Sequence, residues 1–243
     1  MIIKANFGTV YVYPDGYGEG YNDGEKKAYN EFWDNFQQNG ALNNYPYAFS
    51  GVQWNDATFK PKYNIILGAG YTGNTMFWKC AVTNIAEVLE RQGVRLDTTN
   101  CGELGSMFML AESTRIPEIN ATHAMDNNSD GLFRTFMNSK AETIDKLVVT
   151  ENLKYTSTFQ DCTNLKNIVF EGVIGQSIDF QWSTNLTRAS IINIFEHLSD
   201  TASGKLLTLP YEAVRNAFPD GEEISEEFGE LVGTKLNWEM WLT

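Results

Sequence analysis

Thr158-Phe159-Gln160-Asp161-Cys162-Thr163-Asn164-Leu165-Lys166-Asn167-Ile168 is the stretch whose reading decides the fold. An aromatic residue is followed three positions on by a small one, then by Leu165 and Ile168 at steps of three, with Phe170 two further. The physical reading is that the Phe fills the interior of one coil of chain, the small residue lets the next coil approach, and a short strand follows. The same order recurs upstream. Thr75-Met76-Phe77-Trp78-Lys79-Cys80 leads to Ile85, Ser106-Met107-Phe108-Met109-Leu110-Ala111 to Ile116, and Thr135-Phe136-Met137-Asn138-Ser139 to Ile144. The four Phe anchors lie 31, 28 and 23 residues apart, a spacing of one supersecondary unit per repeat.

Working outward, Ile116-x-x-Ile119-x-Ala121, Ile144-x-x-Leu147-x-Val149 and Leu165-x-x-Ile168-x-Phe170 have the apolar spacing of strands that would stack in parallel into one curved sheet. The long first interval holds a helix in which Ile85, Val88 and Leu89 share a face before Gly93. Past Phe170 the reading gives a strand at Ser177 to Phe180, a helix at Leu186 to Leu198, a strand at Lys205 to Leu209 and a helix at Tyr211 to Phe218. The acidic run Glu222, Glu223, Glu226, Glu227 and Glu230 reads as a solvated helix face, and Asn237 to Leu242 as a capping strand. At the other end, Pro14 to Gly24 is dense in turn formers. Ala28, Tyr29, Phe32, Trp33 and Phe36 then form one face of a helix that would cap the coils. The expected organisation is residues 1–45 as an N-terminal extended segment, turn-rich loop and capping helix, 46–205 as repeats, and 206–243 as an α/β C-terminal cap.

The Phe159 to Ile168 unit closely resembles the BspA-like subclass of leucine-rich repeats, whose units read Phe-x-x-Cys-x-x-Leu-x-x-Ile. The flanking segments Tyr29-Asn30-Glu31-Phe32-Trp33-Asp34, Trp54 to Tyr63 and Leu186-Thr187-Arg188-Ala189-Ser190-Ile191 look like those of repeat proteins of gut Firmicutes and their prophages. The resemblance covers most of the chain from about Tyr29 onward. It implies an irregular right-handed α/β leucine-rich-repeat-like solenoid with a parallel sheet, and a binding role in adhesion. The start, Met1 to Gly8, has one positive charge and no apolar core of a secretory signal. A phage particle is therefore an expected setting beside the cell surface.

Composition narrows the partners. With 31 acidic and 18 basic residues the formal charge is −13, which repels phosphate backbones and anionic headgroups. The expectation is no nucleic acid, no membrane insertion, and a protein or glycan partner, with exposed aromatics such as Tyr17, Tyr21 or Trp182 available to sugar rings.

The chemistry-bearing motifs are few. Gly68-Ala69-Gly70-Tyr71-Thr72-Gly73 follows the apolar run Asn64 to Leu67 and matches the Gly-x-Gly-x-x-Gly of dinucleotide-binding enzymes, with Asp97 near the place of the ribose acid. Against that alternative, Phe77 and Trp78 are bulky, and no regular βαβ alternation continues. Asp126 to Gly131 has the first half of a calcium loop, but its twelfth position is Met137 rather than Glu. Cys80, Cys101 and Cys162 match no zinc spacing; Cys80 and Cys162 occupy equivalent repeat positions, which leaves Cys101 as the thiol to test. His123 and His197 carry no local catalytic signature. The expectation is a non-catalytic module without cofactor or metal, its ligand-binding residues unassigned.

Overall fold

The computed structural model describes residues 2–5, 8–11, 48–68, 73–124 and 131–243. The expected capping helix, with Tyr17 and Tyr21 before it, lies outside them, as do residues 69–72 and 125–130. The described chain is mixed α/β, with four helices and several small sheets that are parallel apart from two antiparallel pairs.

Around Phe77, Phe108, Phe136 and Phe159 the backbone repeats one tight figure. The residues two before and two after each Phe are left-handed: Thr75 and Lys79, Ser106 and Leu110, Arg134 and Asn138, Ser157 and Asp161, all with φ between 53° and 60°. Each figure closes three turns of the i to i−3 kind; around Phe77 they are Met76 to Gly73, Trp78 to Thr75 and Cys80 to Phe77, at 3.0–3.1 Å. The intervening N–H groups donate to the next figure. Thr75, Phe77 and Lys79 reach the carbonyls of Gly105, Met107 and Met109, and Ser106, Phe108 and Leu110 reach Phe133, Thr135 and Met137. Arg134, Phe136 and Asn138 in turn reach Thr156, Thr158 and Gln160. Six consecutive amides are thus satisfied alternately within and between turns, which offsets the cost of burying irregular backbone.

The rings follow the ladder. Phe49, Phe77, Phe108, Phe136, Phe159 and Phe180 stack in one column, with successive centroids 5.2, 5.1, 5.8, 5.7 and 4.5 Å apart. None is more than 1% exposed. Burial contributes about 1.5–3 kcal/mol per ring and stacking about 0.5–1.5 kcal/mol per pair. Cys80, Ala111, Ser139, Cys162 and Ser183, each three residues past a ring, are buried. Cys162 Sγ donates to the Phe136 carbonyl at 3.0 Å and Ser183 Oγ to that of Cys162 at 3.2 Å, so the small side chain also ties one turn to the preceding one.

A second ladder, Thr114 to Thr83, Glu142 to Thr114, Lys166 to Glu142 and Thr187 to Lys166, runs at 2.8–2.9 Å. Beyond each of its positions the chain continues as a strand or a helix. Helix α1 (Ile85–Gln92) comes first; then strands β5 (Arg115–Ile116), β7 (Thr143–Val149) and β8 (Asn167–Gly172), side by side and parallel; then helix α2 (Arg188–His197). Short strand β6 (Ile119–Asn120) joins β7 from the same side as β5. The three strands expected from the repeat thus pair in parallel within one sheet, which extends no further. Helices stand where its outer strands would be, and α2 serves β8 with side chains, Ser190 Oγ accepting the Ile168 N–H at 3.0 Å and Asn193 Oδ1 that of Phe170 at 2.6 Å. Earlier strands are β1 (Ile2–Ala5) and β2 (Gly8–Tyr11), an antiparallel pair, and β3 (Ile65–Ile66), parallel to β4 (Leu96–Asp97).

The C-terminal sheet has β10 (Lys205–Leu209) between β9 (Ile178–Asp179) and β13 (Trp238–Leu242), all parallel. Helix α3 (Tyr211–Ala217) follows β10. The acidic run is not one helix: Glu223 pairs with Asp220 in the β11 (Pro219–Asp220) and β12 (Glu223–Ile224) hairpin, and only Glu226, Glu227 and Glu230 lie on α4 (Glu226–Gly233). Gly221, at φ 62°, makes the turn of that hairpin. Phe228 of α4 packs on Phe195 and Phe218. The buried Lys235 ammonium donates to the Leu198 carbonyl at 2.7 Å and to Asp200 at 2.6 Å, and Trp238 Nε1 to the Ser199 carbonyl at 2.9 Å. One apolar cluster extends from Phe49 to Trp238.

Candidate functional site

The outer surface of β5, β7 and β8 is charged for a local reason. The pairing of β7 with β8 shifts register between Ile144 and Leu147, so both Asp145 and Lys146 escape burial while Ile144 and Leu147 stay inside. Asp145 accepts from Arg115 Nε at 2.6 Å, and the Arg115 guanidinium holds Glu90 of α1 by two bonds of 2.8 and 2.9 Å. Hydrogen bonds to Asp145 and Glu90 push the Arg115 pKa further up. Lys146 spans Glu118 at 3.3 Å and Glu171 at 3.0 Å, bonds that raise its pKa, and Lys166 reaches Glu142 at 2.8 Å. These exposed pairs order the face more than they stabilise the fold.

Where α1 replaces a strand, a cleft of about 470 Å³ opens against β4, β6 and β7. Ala86, Leu89 and Val94 form an apolar wall, and Arg95, Asp97, Thr99 and Glu118 are among its polar groups. Burial opposes ionisation of Asp97, but hydrogen bonds from Thr99 and Arg95 outweigh it and hold the carboxyl below its ordinary range. Asn120 and Thr98 are engaged with each other, backbone N–H to Oγ1 at 2.8 Å and Oγ1 to carbonyl at 2.9 Å. The cleft therefore presents fixed carboxylates beside one exposed guanidinium, an arrangement suited to hydrogen-bonding a polar ligand.

The residues singled out from sequence fall elsewhere. Of the glycine motif, Gly68 and Gly73 are described. A side chain at Gly73 would stand 2.9 Å from Leu67 Cδ1 and 3.2 Å from Leu104 Cδ2, and its carbonyl opens the Phe77 turn. The motif thus leads into that turn, and α1 begins only at Ile85. Two of the first-turn amides of α1 are occupied, Ile85 by Ser113 Oγ and Glu87 by Asn84 Oδ1. Of the calcium-like segment only Gly131 is described. Cys80, Cys101 and Cys162 are buried; burial pushes the Cys80 and Cys162 thiols up to about 12 and raises Cys101, whose Sγ donates to the Glu103 carbonyl at 3.1 Å. His197 Nδ1 lies 2.7 Å from the Gly172 carbonyl, while His123 is exposed in a separate turn. Trp182 is 43% exposed. Among the described residues no three His, Cys, Asp or Glu side chains gather as metal ligands, and no helix is long and apolar enough to cross a membrane.

The cleft escaped the sequence reading because its lining comes from residues 86–99, 117–120 and 145, with no fixed spacing to mark it. Comparison of the chain with protein-family models, with curated proteins and with solved structures finds no match.

Proposed function

We propose that the chain is a non-catalytic binding or structural module, a right-handed leucine-rich-repeat-like solenoid whose charged outer face and adjoining cleft receive a protein or glycan partner. The observation that carries this reading is the Phe column with its ladder between turns, which repeats one unit along the molecule and holds the side chains of β5, β7 and β8 in a fixed array. The stacked units are the expected consequence of the Phe-x-x-small pattern, and the atypical first and last parts fit the role of caps. The buried, raised thiols and separated histidines favour recognition over nucleophilic chemistry. An acidic chain of this kind suits a cell surface or phage particle and disfavours nucleic acid.

A screen of labelled protein against glycan and host-surface protein arrays, run beside Lys146→Glu and Arg95→Glu, tests the reading. A reproducible ligand that either variant weakens at least tenfold supports it. If no ligand is found, the binding half of the reading fails and a structural role is left. Saturable binding of nicotinamide or flavin nucleotides, abolished by Gly73→Trp in a folded variant, would replace it with the dinucleotide alternative.

A further inference from the structure

Among the described residues the C-terminal sheet ends on an edge strand, β13, which pairs only with β10, through the register Lys205 with Trp238 to Leu209 with Leu242. The Thr243 N–H donates to Leu209 and the Thr243 carbonyl accepts from Tyr211. Because a parallel ladder uses alternate residues on each side, the N–H and carbonyl groups of Met240 and Leu242 point to the free edge. The side chains there are not those of a guarded edge. Trp241 is 59% exposed, Leu242 39% and the preceding Leu236 87%, whereas protected edges carry lysine, proline or a covering element.

We propose that β13 is a docking edge for an extended, basic segment of a partner protein, which would add to this sheet as a further strand. The chemistry of the segment follows from the charge balance of this part of the chain. Residues 205–243 carry eight carboxylates, at Glu212, Asp220, Glu222, Glu223, Glu226, Glu227, Glu230 and Glu239, against the three cations Lys205, Arg215 and Lys235, with Glu227 engaged by Arg188 and Lys205 donating to Gln176. Lys235 is already held inside by Leu198 and Asp200. Glu239 and Trp241 are two residues apart on one face of β13, so lysine or arginine at alternate positions of an added strand would meet a carboxylate and then an indole face. A second copy of this chain is the poorer occupant, since it brings the same −13 charge. Main-chain pairing supplies the extended conformation and charge supplies the selectivity. This inference deepens the proposed binding role and names a different surface for it from the charged face of β5, β7 and β8.

The probe is a fluorescent acetyl-(Lys-Val)4-amide, titrated at physiological salt against the whole chain, beside the same peptide N-methylated at alternate residues. The two carry equal charge, but only the first can pair along a strand. Saturable binding by the first alone is expected, at least tenfold weaker for Trp241→Glu and for Met240→Pro, whose lost N–H takes no part in the ladder with β10. Lys146→Glu, on the other face, should change it less than twofold. Equal binding of the methylated peptide, no effect of Trp241→Glu, or a homodimer that Met240→Pro dissociates would each overturn the proposal. The first and second outcomes do not rely on Met240→Pro folding. A ligand from the array screen that Lys146→Glu weakens, with no peptide binding at β13, would sink this inference and leave the module reading intact.

Discussion

Asn138 shows at the smallest scale what the repeat demands. It sits two residues past Phe136 with φ of 54°, exposed, its amide bonded to the next turn. Asparagine tolerates the left-handed region, whereas a β-branched residue, as at Thr75, adopts it only at a steric cost. Asn138→Val should lower stability by about 1–2 kcal/mol, read as the shift in urea midpoint at constant slope, whereas Asn138→Gly should be nearly neutral. These positions were not legible in the sequence. Their occupants are Thr, Lys, Ser, Leu, Arg, Asn, Ser and Asp, and only glycine would have announced a positive φ. The thiols make a second prediction. Cys80 and Cys162 are raised from 9.0 to about 12 by burial, so the folded state binds more protons than the unfolded between those values. Their contribution is complete below pH 9 and is lost as pH rises toward 12. Urea midpoints should fall over that window and fall less steeply in Cys162→Ala, a substitution for which Ala111 provides the local precedent.

At the scale of elements, the exchange of helix for strand was half visible. The helical spacing of Ile85, Val88 and Leu89 and of Ile191, Ile194 and Phe195 marked α1 and α2, and all six side chains are buried. That these helices border the sheet in place of further strands is not legible there, because the decisive groups are polar. Ser190 and Asn193 give the edge amides of β8 the acceptors a neighbouring strand would have given. Asn193→Ala should cost about 1–3 kcal/mol by leaving the Phe170 N–H without its partner. Amide exchange at Phe170 should accelerate more than at Ile168, which keeps Ser190; equal effects at both would mean that α2 loosens as a body. The cleft beside α1 follows from the same exchange, and a sequence pattern that cannot show where a helix displaces a strand cannot show the cleft either.

At the scale of the whole molecule, one column of rings organises the chain from Phe49 to Phe180. Four of the six rings were marked by Phe-x-x-small with a following strand. Phe180-x-x-Ser183-x-x-Leu186 carries the same signature, but the rhythm of strand and helix changes there. Phe49 had no signature, since the third residue after it is Val52, 71% exposed; only its stacking on Phe77 and its amide bond to Met76 include it. The binding role drawn from the scaffold depends on this column being continuous. The most direct measurement is a set of ring-to-ring nuclear Overhauser contacts in protein labelled only at phenylalanine, assigned by single Phe→Leu substitutions. The predicted result for the column rings is a linear chain of contacts in the order Phe49, Phe77, Phe108, Phe136, Phe159, Phe180, each ring seeing the next and none seeing the next but one, with Phe59 joining Phe49 and Phe77 and Phe170 joining Phe180 from the side. A missing contact between any successive pair among Phe77, Phe108, Phe136 and Phe159, in protein shown to be folded, would contradict the stacked-turn architecture.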